Sequence, residues 1–427
     1  MRDLTAKMTS GERASTAKPF IRWLDRYILI ACVATAALVV AGLLYLIGAP
    51  VWRAASWMYE KTMPNPNPSY EMESLLGSGD ITALAFSADG KFLAAGTSGS
   101  TDERKDHLGS DVLLWNVNER QIVKKVALDQ QVTSLVFVGE KLLVGTSSVN
   151  PYRTAMSRAT EADFGRLRVF DVPGLHELHG RQFEVPVGNV RASPNGRWIA
   201  VNQVWPPSRS PGTKYTYGRG EIVILDSESL VSLRVIGIPH NLHGLIFTPG
   251  SDSVLAWDVE SPKAAIPGSE TALRVFDTAT GVLQSSPPKA VWGGVLISVD
   301  EGRLVTLWAD GVFEYDLATG KSDYEPLIHA GEDRGRGMRC MSLSPDANSL
   351  LFAAGPTGDD KRRFTPKVAI QDRNTKRVDR VYEGPLRMTF KSCAYSPDNI
   401  HFAVGTDAYR EEATDPFQSR VLLFKKK

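Results

Sequence analysis

Cysteine is scarce, with three in 427 residues, at Cys32, Cys340 and Cys393. No Cys-x-x-Cys or Cys-x-x-Cys-His occurs, which argues against a disulfide-stapled scaffold, covalent haem attachment and a cysteine-built zinc cluster. An excess of either charge is also lacking. Lysine plus arginine number 49 and aspartate plus glutamate 48, for a formal net charge of +1. No bulk field therefore favours nucleic acid or an acidic substrate, and no nucleic-acid role is expected. There is no Gly-x-Ser-x-Gly and no phosphate-binding glycine loop. An acceptor Asn-x-Ser/Thr is missing too, because Asn67-Pro68-Ser69 carries the forbidding proline. That favours a bacterial envelope over a glycosylating lumen.

What is present begins with an ordinary globular composition, 43% hydrophobic and 23% charged, interrupted by one apolar run. Tyr27 to Ile47, "YILIACVATAALVVAGLLYLI", is 21 residues without a charge. As a helix it spans roughly 30 Å, the thickness of a bilayer's hydrocarbon core. Trp23 and Tyr27 stand at one end and Trp52, Trp57 and Tyr59 at the other, where aromatic rings favour the interface. A cleaved signal peptide has a shorter apolar region and a small-residue cleavage site. The run therefore reads as an uncleaved single-pass anchor. Arg2, Lys7, Arg13, Lys18, Arg22 and Arg26 precede it, whereas only Arg53 and Lys61 lie between it and Ser69. This bias predicts a cytoplasmic N-terminus and a body on the far side, on the periplasmic side of a bacterial inner membrane. The expected organisation is a basic tail (1–26), a transmembrane helix (27–47), a juxtamembrane segment with a Pro-rich linker (48–69) and a globular body (70–427).

The body repeats itself. One unit reads "ITALAFSADGKFLAAGTS", two alternating strands around Ser-x-Asp-Gly, followed after a loop by "DVLLWNVNERQIVKKVAL", two more strands around a polar turn. The first turn recurs as "VRASPNG", "LIFTPGS", "LISVDEG", "MSLSPDA" and "CAYSPDN". The third strand recurs around Trp115, Phe170, Leu225, Phe276, Tyr315, Gln371 and Phe424, about 40 to 55 residues apart. Most third strands end in aspartate, whose side chain favours a tight turn by bonding its own backbone two residues on.

Four short strands per unit at this period mark a β-propeller blade. From Tyr70 onward the chain resembles the WD40-like propellers, although no unit carries the family's Gly-His dipeptide and only Trp115 stands where its tryptophan would. The resemblance implies an all-β fold of seven blades. Fold alone does not name a function, but with no catalytic constellation evident the expected role is protein–protein interaction or scaffolding in a membrane or envelope assembly rather than catalysis. The last unit stops after its third strand, "RVLLF". The unclaimed segment Ser69–Ser78 is expected to supply the missing outer strand, since an open sheet edge invites aggregation. The seven-bladed propeller would then be closed by its N-terminal strand and hang from its anchor at the rim of the seventh blade.

The connections between second and third strands are long in six units and short only in the fifth, "ADG". Long connections in a compact domain are commonly functional. Together they would form a crown on one face, bearing Tyr152, Arg153, Trp205, Tyr215, Tyr217, Arg219, Arg362, Arg363, Phe364 and Tyr409. Tyr, Trp and Arg are enriched in binding hot spots, so these are the candidate protein-binding residues. His176-x-x-His179 and His240-x-x-His243 lack the further partners a metal needs, so no metal and no cofactor are expected. The competing class is a lactonase-like propeller hydrolase with acidic groups at the channel mouth. Cys340 and Cys393 lie four and three residues before the turn serines Ser344 and Ser396, on opposite sheet faces. Facing surfaces of adjacent blades are opposite faces too, so the two can meet, but two buried free thiols are the expectation.

Overall fold

The chain divides into two compact units, Met1–Asn65 and Pro66–Lys427. A computed structural model describes residues 69–77, 79–98, 110–148, 164–204, 220–238, 241–259, 271–285, 296–300, 302–308, 311–326, 338–355, 366–384, 388–407 and 419–427, all within the second unit. The predicted tail and membrane span lie outside the described residues. Among the described residues no helix is long and apolar enough to cross a membrane.

These residues form seven four-stranded antiparallel sheets. Strand β1 is Tyr70–Gly77. Sheet one follows with β2 (Asp80–Phe86), β3 (Phe92–Ser98), β4 (Ser110–Asn116) and β5 (Gln121–Leu128). Sheet two has β6 (Gln131–Val138), β7 (Lys141–Ser147), β8 (Gly165–Asp171) and β9 (Glu177–Phe183). Sheet three has β10 (Val187–Ala192), β11 (Trp198–Val204), β12 (Gly220–Asp226) and β13 (Ser232–Ile238). Sheet four has β14 (Asn241–Phe247), β15 (Ser253–Val259), β16 (Thr271–Asp277) and β17 (Leu283–Ser285). Sheet five has β18 (Leu296–Asp300), β19 (Arg303–Trp308), β20 (Gly311–Asp316) and β21 (Ser322–Pro326). Sheet six has β22 (Met338–Leu343), β23 (Ser349–Ala354), β24 (Lys367–Asp372) and β25 (Val378–Glu383). Sheet seven has β26 (Phe390–Tyr395), β27 (His401–Thr406) and β28 (Ser419–Lys426), with β1 as its fourth strand. Seven such sheets suggest a β-propeller.

The expected outer strand pairs where it was placed. β1 runs antiparallel to β28 through eight pairs, from Tyr70↔Lys426 to Gly77↔Ser419, without a register shift. Each first strand, in contrast, slips once against its second: at Ile81/Ala83, Val132/Ser134, Val187/Val190, Leu242/Gly244, Leu296/Ser298, Met338/Cys340 and Phe390/Ser392. Such bulges raise local twist and re-aim the following side chain.

The turns form as their residues dictate. Ser87 Oγ donates to Asp89 Oδ1 at 2.6 Å while that oxygen accepts the Lys91 N–H at 3.0 Å, and Gly90 takes a φ of +69°. The Ser193–Asn195 and Ser344–Asp346 turns repeat this bonding. At third-strand ends, Asp226 accepts the Ser229 N–H, Asp316 the Thr319 N–H and Asp372 the Thr375 N–H.

The hydrophobic core is divided among seven clusters, each between two neighbouring sheets. Leu114, Val132, Leu142 and Phe170 pack between sheets one and two. Phe402, Phe424, Leu351 and Val368 pack between sheets six and seven, while Leu93, Trp115, Ala403 and Leu423 pack between sheets seven and one. Glycines let some sheets approach closely. A Cβ on Gly96 would strike the Val132 side chain, one on Gly145 would lie 2.8 Å from Val190 Cγ2, and one on Gly405 would lie 2.5 Å from Ile81 Cγ2.

Candidate functional site

The sequence placed its candidate residues on the second-to-third-strand connections. Tyr152, Arg153, Trp205, Tyr215, Tyr217, Arg219, Arg362, Arg363, Phe364 and Tyr409 all lie outside the described residues. The strand ends from which those connections leave are described. At the base of the connection in sheet two, the Ser148 N–H bonds the Phe164 carbonyl and the Phe164 N–H bonds Ser148 Oγ, each at 3.0 Å. Beside it, Thr146 Oγ1 donates to Gln130 Oε1 at 2.7 Å. Arg168, almost fully buried, is ion-paired with Asp129 and with Glu177.

At the same end of the sheets, Asp80 of sheet one meets Lys391 and Asp407 of sheet seven. Lys391 Nζ lies 3.6 Å from Asp80 Oδ2, and Asp407 Oδ1 accepts the Thr389 N–H at 2.9 Å. Burial pushes the Asp407 carboxyl above its ordinary range, the nearby Asp80 charge adds to this, and the Thr389 hydrogen bonds oppose it. Among the described residues no three His, Cys, Asp or Glu side chains converge as a metal site. His176 instead faces Asp171 across its own turn, with Nδ1 3.2 Å from Oδ2. His240 lies outside the described residues.

The densest chemistry among the described residues lies along sheet seven, where β1 alternates between two neighbours. Tyr70 and Met72 join the core shared with sheet six, and Leu75 joins the core shared with sheet one. Glu71 and Glu73 turn toward sheet one, where Arg120 meets them at 3.1 and 3.3 Å. Phe402 and Phe424 stack at 4.8 Å between centroids, and Tyr70 meets Phe402 edge-on at 5.8 Å. Burial pushes the Tyr70 hydroxyl up to about 12, and Asp379 from sheet six adds to the effect.

One expectation is corrected here. Cys340 and Cys393 are not free thiols but a disulfide joining β22 to β26, with Cα atoms 5.5 Å apart. The reason lies in the bulges. Cys340 is the first paired residue after the slip in β22, as Ser134 is in β6 and Ser392 in β26. Ser134 and Ser392 send their hydroxyls across to the next sheet, to the Val190 and Ile81 carbonyls. The bulge aims Cys340 across its seam in the same way.

The WD40 family model, described as "WD domain, G-beta repeat", matches residues 70–102. That stretch begins in β1 and ends just past β3, so it starts in sheet seven and finishes in sheet one. No curated protein matches the chain. A WD40 repeat suggests a protein–protein interaction module, and such domains are typically non-catalytic.

Proposed function

We propose that the chain is a membrane-anchored, seven-bladed WD40-like propeller, closed by its N-terminal strand, that binds or scaffolds proteins in an envelope assembly. The WD40 match on β1–β3 carries the reading, because it joins the interaction class to the strand that completes sheet seven. Closure is supported by the cores between sheets six and seven and between seven and one, to both of which β1 contributes. The apolar run from Tyr27 to Ile47 and the basic residues before it support a single-pass anchor with the propeller outside the cytoplasm. The Cys340–Cys393 bond supports the same location, since disulfides persist in oxidising compartments and are rare in the cytosol.

The binding face in this reading is the crown, with Tyr152, Trp205, Tyr215 and Tyr217 as anchors. Rigid aromatic rings bury much apolar area at low entropic cost, and the neighbouring arginines add directional hydrogen bonds. Crosslinking in native membranes identifies the partner, and replacing 214–219 with a Gly-Ser segment of equal length tests the face. Loss of a true anchor costs roughly 2 kcal/mol, about thirtyfold in affinity. Retained partner recovery in that replacement, with loss on substituting the turns at the opposite end of the sheets, assigns the face the other way.

A further inference from the structure

Neighbouring sheets are held together by a recurring polar bond between their first strands. Thr82 Oγ1 donates to the Val132 carbonyl at 2.7 Å between sheets one and two. Ser134 Oγ donates to Val190 O at 3.2 Å between sheets two and three, and Ser392 Oγ to Ile81 O at 2.8 Å between sheets seven and one. At the seam between sheets six and seven, the position of Ser134 and Ser392 is taken by Cys340, and the bond is covalent. This seam also lacks the tight glycine fit of three others. Gly96, Gly145 and Gly405 pair with the residue just after their sheet's bulge, and in sheet six that position is Ala353, which already carries a Cβ. What fills it instead is the aromatic group of Tyr70, Tyr382, Tyr395, Phe402 and Phe424. One member of that group, Tyr70, belongs to the strand that completes the sheet.

We propose that Cys340–Cys393 is a redox lock on the closing seam, installed by thiol–disulfide exchange with an oxidised dithiol partner. In that step the two thiols give up two protons and two electrons. One sulfur–sulfur bond forms in the chain, the partner's disulfide breaks, and the partner leaves as two thiols. With the bond made, sheets six and seven clamp Tyr70 and Met72, and β1 stays on β28. With it reduced, the seam retains the Tyr395 N–H to Ser342 Oγ bond at 3.2 Å and the Asn399 Nδ2 to Asp346 Oδ2 bond at 2.6 Å. The cover over Tyr70 loosens, and β1 exchanges.

The inference rests on the closure proposed above and stands apart from the binding role. The full chain, purified in detergent without reductant, is alkylated under denaturing conditions and mapped by peptide mass, and amide hydrogen exchange is followed before and after treatment with a phosphine reductant. The lock requires residues 340 and 393 to resist alkylation until reduced. It also requires amides of 70–77 to exchange about tenfold faster after reduction while 131–138 in β6 hold their protection. Free thiols in the folded chain overturn it. So does protection of 70–77 that reduction leaves unchanged, or a rise spread evenly over all sheets. Fast exchange of 70–77 in the oxidised protein sinks the closure reading instead. The C340A/C393V double variant, if folded, reproduces the reduced pattern without reductant.

Discussion

At Gly405 one methyl group decides how near two sheets come. The alanine Cβ would sit 2.5 Å from Ile81 Cγ2, in a core where both residues are buried. Overpacking of this kind costs about 1–3 kcal/mol. Gly405→Ala should therefore lower the denaturation midpoint with an unchanged denaturant slope, and an unaltered midpoint would mean that Ile81 can yield. Carboxylates set a second, pH-dependent contribution. Backbone N–H groups of Ser229, Thr319 and Thr375 hold the carboxyls of Asp226, Asp316 and Asp372 below their ordinary range. A depressed folded-state value means that their stabilisation is complete above the unfolded value, about 4. It is lost as pH falls through the folded value. Asp407 runs the other way. Its value is raised by burial, so stability is fullest below the unfolded value and declines as pH rises through the folded one. Asp407→Asn keeps an acceptor for the Thr389 N–H and should raise the melting temperature at pH 7. That gain should vanish below about pH 4, where the native carboxyl is protonated in both states. A variant less stable at pH 7 would show that the charge itself is needed by Lys391.

Among the elements, β1 carries the most consequence for its length. Its eight pairs with β28 cover a strand whose Leu422 and Phe424 are almost wholly buried. Deleting Tyr70–Leu76 would uncover both and leave an open edge. A clear drop in melting temperature and edge-to-edge oligomers are expected by calorimetry and light scattering, and unchanged stability would refute the role of β1 as the completing strand. Phe424→Ala should cost roughly 3–5 kcal/mol, whereas Arg120→Ala, which removes only exposed ion pairs, should cost less than about 1 kcal/mol. Much of this level was legible in the chain. Period-two alternation and the Ser-x-Asp-Gly and strand-ending Asp turns place every third strand, and the missing partner of "RVLLF" pointed to Ser69–Ser78. The bulges were not legible, because one inserted residue in a six- to eight-residue strand blurs the alternation that would reveal it. For the same reason the aim of Cys340 could be given only as a possibility. The proposed crown residues gave a composition and no geometry.

For the whole molecule, stability is spread over seven thin cores, each shared by two sheets. No sheet is stable alone in this arrangement, and damage at one seam should be felt by its two neighbours before the rest. The cross-link between residues 53 apart ties sheets six and seven, the seam into which β1 brings Tyr70 and Met72 from the other end of the described body. Its loss should cost about 2–4 kcal/mol. On the topology proposed above, protease added from the non-cytoplasmic side should digest the seven-sheet body and protease from the cytoplasmic side should not. A cytosolic reporter fused after Lys427 that is fully active would reverse the assignment.

The Lys427 N–H bonds the Ser69 carbonyl at 2.9 Å, so the chain enters β1 beside the point where β28 ends. A force drawing Ser69 along the strand therefore loads β1 in shear. Its eight pairs must slide together rather than unzip in succession, and Tyr70 and Met72 must be dragged out of the core under sheet six as they go. Whatever tugs on the segment before Ser69 meets sheet seven at a mechanically resistant joint, with a covalent bond in the seam next to it.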